Sequence, residues 1–559
     1  MGQSVPDWLG RALEDGLAGV VYFAQNINQD DAGQPARLSA QLRGIRPDLL
    51  IGIDEEGGNV TRLESARGSS LPGHAQLGRN DDVAATRSVG RMIGSRVALA
   101  GANVVLAPVA DVNTNPANPV IGVRAFGAET ELVSRHVAAM VRGLQDMPVS
   151  ACVKHFPGHG DTRTDSHLEL PRLELSWAEI ERHHLPPFVA AVEVGVRAVM
   201  TAHIVVPELG ELPATLNPRI LATLRDTGFT GTIVTDALDM AAIRESFGAG
   251  QGAVLAMLAG ADLLCIGNPS NPGPERGRTA DLNDYLEVRG ALLDALDEGI
   301  LTGDALERAA ESASLLAHAT GNASDTAISH AAISHAAILS TAISGAARSD
   351  AQDAAESARI VRVACSRRGV VTLPQKRLTV LDLRGRATLA VGSAAAGSAA
   401  AGTPAAGTPA AGTPAVGTPA VGSPAAGSAA VGSLAVGLPT DVFSAALART
   451  FEVDRVSLGQ LGGSGSLAET LAATVVHAAG IPAESGVIVL VDRIAAPGAQ
   501  RDAISRIAGI RPDALVVNAG LPVPNSDALD ALALARIDCL AASRISAETV
   551  RRILRGEVA

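Results

Sequence analysis

Aromatic residues are scarce in this 559-residue chain, at 2% of the sequence: two Trp, two Tyr and eight Phe. Platforms for stacking bases are therefore few. Positive charge is also in deficit, since 45 Lys and Arg face 58 Asp and Glu and leave a formal net charge of -13. A chain of that sign repels phosphate backbones, so nucleic acid is not expected as a partner. Cysteine is limited to Cys152, Cys265, Cys365 and Cys539, far apart and without CxxC spacing, so neither a zinc site nor a disulfide framework is indicated. Cys152 and Cys265 lie in apolar runs and read as buried small hydrophobes. Residues 1–15 lack a basic segment followed by an apolar one, so no signal peptide is visible. No apolar run approaches the roughly 20 residues of a membrane helix. The expectation is a cytoplasmic protein with no membrane span.

What the chain does have is bulk. At 47% hydrophobic residues it can bury a large core, and more than one domain is expected at this length. Between 19 and 267, short apolar runs alternate with longer Ala/Leu/Arg-rich amphipathic stretches. The runs are 19–23, 49–53, 102–107, 151–153, 196–201, 232–235 and 262–266. Bounded by Gly and Pro and separated by helical segments, they read as βα units with parallel strands buried on both faces. Seven candidates fall one short of the eight strands of a closed barrel. No candidate precedes Gly19, because 5–17 reads as a helix capped by Ser4 with Pro6 in its first turn. The first strand is thus expected to be missing.

Two helices are expected over 281–320, closing a first domain at 1–320. A linker follows at 321–359, with Ala-Ile-Ser-His-Ala repeated at 327–331 and 332–336. Residues 360–559 read as a smaller α/β sandwich-like domain, with strand candidates 378–383, 487–491, 514–518 and 537–541. An Ala/Gly/Thr/Pro insert at 397–439, with a period of roughly five residues, cannot bury enough apolar surface to offset its ordering entropy, and disorder is expected there.

Titratable groups follow the ends of the runs, where barrel enzymes and open α/β sheets build their sites. The densest stretch is Lys154-His155-Phe156-Pro157-Gly158-His159-Gly160-Asp161-Thr162-Arg163-Thr164-Asp165-Ser166-His167. Pro157 and the glycines make it a loop leaving a strand. An Asp two residues from a His can accept the imidazole N–H and favour the protonated ring, so Asp165 and His167 form a plausible general acid/base pair. The same residues could simply tie down a turn, and His155, His159 and His167 could hold a metal, although the spacing matches no compact zinc pattern. After the second run comes Asp54-Glu55-Glu56-Gly57-Gly58-Asn59-Val60-Thr61-Arg62. Asp54 at a strand end can accept hydrogen bonds from sugar hydroxyls and Arg62 can clamp, while Glu55 and Glu56 read as solvated. Asp236 ends the run 232–235 and is held rigidly enough for a nucleophile, or else caps the following helix, with Asp239 in that helix's first turn. The segment from Asn118 to Gly127 reads as an ordered loop from which Arg124 projects, either to substrate or to solvent.

Together these four motifs, in this order over roughly 5–319, resemble glycoside hydrolase family 3, in particular its bacterial β-N-acetylhexosaminidase branch. The Lys154 to His167 string is highly specific for that branch. The resemblance implies a TIM-type (β/α)8 barrel followed by an α/β sandwich domain, and retaining hydrolysis of terminal β-linked N-acetylglucosamine in glycans such as peptidoglycan fragments. It implies Asp236 as nucleophile, His167 as acid/base paired with Asp165, and Asp54 as the acceptor of sugar hydroxyls. Arg62, Arg124, Lys154 and His155 would contact the N-acetylglucosamine unit. It implies a small carbohydrate as substrate and no metal or organic cofactor. Asn59 departs from the pattern, which usually has Arg there. Phosphorolysis on the same site, a non-catalytic sugar-binding protein and a metallohydrolase are the competing readings.

Overall fold

The computed structural model describes residues 2–163, 170–267, 280–318, 350–368, 377–384, 442–457, 498–522 and 534–557, with most of 478–495. The insert at 397–439 and most of the linker at 321–359 lie outside the described residues.

Six strands form the first sheet: β1 (Gly19–Tyr22), β2 (Leu50–Ile53), β3 (Val104–Val105), β4 (Ser150–Phe156), β5 (Ala198–Thr201) and β6 (Thr232–Val234). They lie in sequence order, and every neighbouring pair is parallel. A further parallel bridge joins Val234 to Leu263, so all seven apolar runs meet in one sheet. Strands added always on the same side curl the sheet toward a barrel, and here they make a curled half-barrel of the TIM type. Among the described residues no strand precedes β1. The helix α1 (Asp7–Glu14) stands there instead, with Pro6 rather than Ser4 in the cap position.

The alternation of side chains along each strand divides the core in two. Ile51, Ile53, Val105, Ala151, Val153, Val199 and Ile233 point out to the helices. Leu50, Val104, Cys152, Ala198, Met200 and Val234 point inward and fill the interior. Burial on both faces is why these strands read as unbroken apolar runs. Each fully buried Leu, Ile or Val contributes roughly 1.5–3 kcal/mol. The outer layer includes α2 (Gln34–Ile45), α4 (Val83–Leu99), α5 (Thr130–Gln145) and α6 (Pro218–Asp226), with the short α3 (His74–Asn80) preceding α4. The two expected closing helices are Ala280–Asp297 and Gly303–His318. The second places Ala313 and Leu316 in the interior cluster, and its carbonyls accept from Ser150 and Thr232 at the starts of β4 and β6. It therefore seals the N-terminal end of the strands and leaves the C-terminal end open.

The second sheet contains β7 (Ser366–Arg368), β8 (Arg377–Asp382), β9 (Glu452–Ser457), β10 (Gly486–Val491), β11 (Leu515–Asn518) and β12 (Ala535–Asp538). Its order is β7-β12-β11-β10-β8-β9, parallel except for the antiparallel edge β7. The order reverses at β8, so this sheet is doubly wound, with helices on both faces. Val442–Leu447 and Arg544–Leu554 cover Leu378, Val380, Ile488 and Leu490. Ala499–Ile510 covers Leu381, Val487, Val489 and Val491. Four of these strands answer the apolar runs in the sequence. The two edge strands, Ser-Arg-Arg and Glu-Val-Asp-Arg-Val-Ser, carry no such run, because an edge is only half buried. Among the described residues no helix is long and apolar enough to cross a membrane.

Candidate active site

The open end of the first sheet begins with the turn after β2. Gly57 and Gly58 adopt φ of +78° and +55°, and a Cβ on either would lie 2.4 Å from the Pro72 carbonyl oxygen or 2.6 Å from the Gly73 Cα. Only glycine fits there. The turn closes with Val60 N–H on the Gly57 carbonyl (3.0 Å) and Glu56 N–H on the Val60 carbonyl (2.9 Å). Glu55 then accepts the backbone N–H of Arg62 (2.9 Å) and of Leu63 (3.1 Å). Chain reversal thereby returns the Arg62 guanidinium to Asp54, at 3.0 Å.

Opposite stands β4. Its pairing with β5 slips between Val153 and Phe156, an irregularity that re-aims the side chains of Lys154 and His155. Lys154 Nζ lies 2.7 Å from Asp54 and 2.8 Å from Glu56. Glu56 in turn accepts Arg124 in a bidentate pair, at 3.0 and 2.8 Å. The result is an alternating row of Arg62, Asp54, Lys154, Glu56 and Arg124, three cations to two carboxylates, with one positive charge in surplus. Glu55 and Glu56 were expected to be solvated. Both are buried, at 1% and 2% exposure, because one supports the Arg62 turn and the other bridges two buried cations. Burial would raise the Asp54 carboxyl, but the Lys154 and Arg62 charges overcome it and hold the group at about 2. Burial is likewise overcome at Glu56, which Arg124 and Lys154 keep well below the ordinary range. Glu55 has no such cation, and burial pushes it up to about 7 despite the hydrogen bonds it accepts. Asp54 keeps 16% of its side chain exposed, against 3% for Lys154 and Arg62 and 6% for Arg124. The carboxylate therefore faces outward with its cations behind it.

Asp111, on the segment after β3, orients the next pair. It accepts His155 Nδ1 at 2.8 Å and the His159 backbone N–H at 2.7 Å. His159 Nδ1 is 2.7 Å from Thr162 Oγ1, and burial lowers this imidazole to about 4. Among the described residues no group of three metal-ligating side chains occurs, and His167, the third member of the metal reading, lies outside them. Asn118 fixes the arginine loop, donating to the His159 carbonyl (2.8 Å) and accepting from Val120 and Ile121 N–H. His74, in the first turn of α3, donates through Nδ1 to the Arg124 carbonyl at 2.6 Å and packs on Phe126. Burial lowers His74 to about 4 and keeps it neutral.

Asp236 lies two residues beyond β6 and is part-exposed. Its Oδ1 accepts the Ala237 N–H at 2.8 Å, and His203 holds the Ala237 carbonyl at 2.9 Å. It is not a helix cap: the next helix is Ala241–Phe247, with Met240 in the cap position, and Asp239 is buried ahead of it rather than in its first turn. The charges of Asp236 and Asp54 both act on Cys152 and on Cys265. Asp54 follows the end of β2 directly and Asp236 lies two residues beyond the end of β6, in the same sheet. Burial, with both of those charges adding to it, pushes the Cys152 thiol up to about 12. Cys152 is fully buried as expected, whereas Cys265 is partly exposed.

The structure joins Asp54, Arg62, Lys154 and Arg124 in one charged row through Glu56, holds His155 on Asp111 next to Lys154 in the chain, and sets Asp236 at the same end of the sheet. Asp165 and His167 lie outside the described residues. Sequence reasoning read Glu56 as solvated and gave Asp111 and His74 no role. Glu56 had a usable signal, since residues two apart on an extended exit share a side with each other, here with Asp54. His74 had none.

Residues 11–311 match the glycosyl hydrolase family 3 N-terminal domain. β-Hexosaminidase A of Pseudoalteromonas piscicida is 33% identical over 313 residues, which are 52% of this chain and 51% of that protein, so the chain spans about half the length of this relative. β-Hexosaminidase of Neisseria meningitidis serogroup C is 34% identical over 268 residues, 46% of this chain and 73% of that one. Among solved structures, the glycoside hydrolase family 3 β-N-acetylglucosaminidase from Paenibacillus sp. str. FPU-7 superposes with a TM-score of 0.73 at 27% identity, covering 100% of this chain and 94% of that one. With its strand-end motifs, half-barrel and second sheet, the chain belongs to glycosyl hydrolase family 3 and is similar there to proteins named β-hexosaminidase and to a β-N-acetylglucosaminidase.

Proposed function

We propose that this chain is a retaining β-N-acetylhexosaminidase that releases terminal β-linked N-acetylglucosamine from glycans such as peptidoglycan fragments. The observation that carries the reading is the pair of part-exposed carboxylates, Asp54 and Asp236, each just beyond the C-terminal end of a strand of the first sheet. Held at about 2, Asp54 stays ionised at any working pH, can only accept hydrogen bonds, and so suits a sugar's hydroxyl donors. Asp236 attacks the anomeric carbon as the glycosidic C–O bond breaks, and the leaving oxygen takes its proton from His167, which Asp165 orients. In the second step His167 receives a proton from water, the water oxygen bonds to the anomeric carbon, and Asp236 leaves. Arg62, Arg124, Lys154 and His155 hold the N-acetylglucosamine ring, and no metal or organic cofactor enters this scheme. The β-hexosaminidase names of the relatives support the sugar assignment.

The test is covalent trapping with a 5-fluoro β-N-acetylglucosaminyl fluoride followed by peptide mapping. The adduct is expected on Asp236, and an adduct on any other residue overturns the assignment. Product analysis completes it: phosphate-dependent release of N-acetylglucosamine 1-phosphate at a rate far above hydrolysis would replace hydrolysis by phosphorolysis on the same carboxylate.

A further inference from the structure

A turn of the second domain, at 539–543 between β12 and the helix Arg544–Leu554, reaches the site. Three contacts tie this turn to the loop and helix that carry the sugar-site residues. The Ala542 N–H donates to Asn59 Oδ1 at 2.6 Å. The Gln76 side-chain amide donates to the Cys539 carbonyl at 2.7 Å and to Ser546 Oγ at 2.9 Å, while its oxygen accepts the Gly73 N–H at 3.0 Å. Leu540 packs in an apolar cluster with Ala75 and Ala364, against which Val123 and Leu521 also lie. Leu540 has φ of +58°, a conformation unfavourable for a bulky L-residue that persists only where its surroundings impose it.

These contacts converge on Arg124. That residue ends a short 3-10 turn, Gly122–Arg124, which has no strand or long helix of its own to hold it. Its carbonyl is held by His74, its neighbour Val123 by the Leu540 cluster, and its guanidinium by Glu56. His74 and Gln76 share the first turn of α3, a helix of seven residues. A helix that short is not stable by itself and depends on what it docks against. The amide of Gln76 cannot be inverted, because the Gly73 N–H requires an acceptor and the Cys539 carbonyl requires a donor.

We propose that the 539–543 turn of the second domain is a positioning element of the sugar site, acting on Arg124 through Gln76 and His74. Gln76 and His74 are then positioning residues, and the departure at Asn59 is a second tether that steadies the Gly57-Gly58 turn leading to Arg62. The inference rests on Arg124 being a sugar contact, as proposed above.

The experiment measures kcat and KM of the full chain on an aryl β-N-acetylglucosaminide for Gln76→Ala, His74→Ala, His74→Asn, Arg124→Lys and the double variant Gln76→Ala/Arg124→Lys. Lost positioning of a ground-state contact raises KM and spares kcat, whereas lost folding reduces the active fraction and leaves KM alone. Gln76→Ala and His74→Ala are expected to raise KM about tenfold with kcat within about twofold, and His74→Asn, which keeps an N–H donor, to recover most of it. Because Gln76 acts through Arg124, the double variant is expected to be no worse than Arg124→Lys alone. Additive losses, or an unchanged KM in Gln76→Ala and His74→Ala, overturn the positioning role while leaving the sugar-contact assignment standing. An unchanged KM in Arg124→Lys overturns that assignment and the inference with it. Should Gln76→Ala yield no folded protein, Leu540→Gly makes the same test: glycine accepts the left-handed backbone and removes the side chain of the cluster against which Val123 lies. A raised KM there supports the proposal, and an unchanged one overturns it.

Discussion

At the C-terminal ends of its parallel strands the first sheet carries Asp54 and Asp236, and the second carries Asp382 and Asp538. The placement is the same, but the surroundings differ. Asp382 is covered by a bidentate Arg384 (2.8 and 2.7 Å) and by Arg455 (2.9 Å), and Asp538 by Arg536 (3.1 Å) and the Asn518 amide (2.8 Å). Only 6% and 5% of these side chains is exposed. Asp54 is also paired, but its cations lie behind it and are shared with Glu56, so one face stays open. A strand end supplies a rigid carboxylate. Whether that carboxylate can meet a substrate depends on the side from which its partners come.

The largest test of this contrast is kinetic. Asp236→Asn is expected to reduce turnover of an aryl N-acetylglucosaminide on the order of 10⁴-fold. Asp382→Asn, at the equivalent place in the second sheet, is expected to leave kcat unaltered, and a matching loss there would break the comparison. Next is stability. Lys154→Met leaves Asp54 and Glu56 facing each other without their shared cation, and denaturant unfolding is expected to show a loss of about 3–5 kcal/mol. Asp382→Leu should cost less, about 1–3 kcal/mol, because Arg384 and Arg455 keep a path to solvent.

The third test is in pH. Glu55 titrates near 4.5 when unfolded and at about 7 when folded. Between those values the folded chain holds the extra proton, so this group's contribution is full below 4.5 and is lost as pH rises through 7. His74 and His159, lowered from 6.5 to about 4, act in the opposite sense: the unfolded chain binds more protons between 4 and 6.5, and their contribution is lost as pH falls through 4. Glu55→Gln is expected to abolish the decline toward neutral pH and leave the acid limb in place, as read by midpoint against pH. An unchanged neutral limb would show that Glu55 is not buried in solution. The smallest expected effect is at the junction of the two regions, where Asn59→Ala should cost about 1 kcal/mol by the same unfolding measurement.

The barrel strands were legible because burial on both faces leaves a continuous apolar run, and their polar sequels mark the open end. Asp54, Lys154, His155 and Asp236 were legible for the same reason, each sitting on or just beyond a strand end, whereas Arg62 is brought back to Asp54 by the Gly57-Gly58 turn. Glu56 was misread because its partners, Lys154 and Arg124, are distant in sequence, and an acidic pair beside glycines resembles a solvated turn. The edge strands β7 and β9 were invisible, since half-buried backbone needs no apolar run. Asn59 was noticed only as a departure from the family pattern. Its partner, Ala542, offers a backbone N–H, and no side-chain pattern marks such a group in advance.

Cys152 lies inside the barrel directly beneath Lys154, fully buried, with its thiol held protonated far above neutral pH. An alkylating reagent attacks thiolate, so this sulfur is doubly shielded while the strands stay together. It is therefore a built-in clock for transient opening of the catalytic sheet: labelling of Cys152 proceeds only as fast as β4 separates from its neighbours, and a bound sugar should slow it.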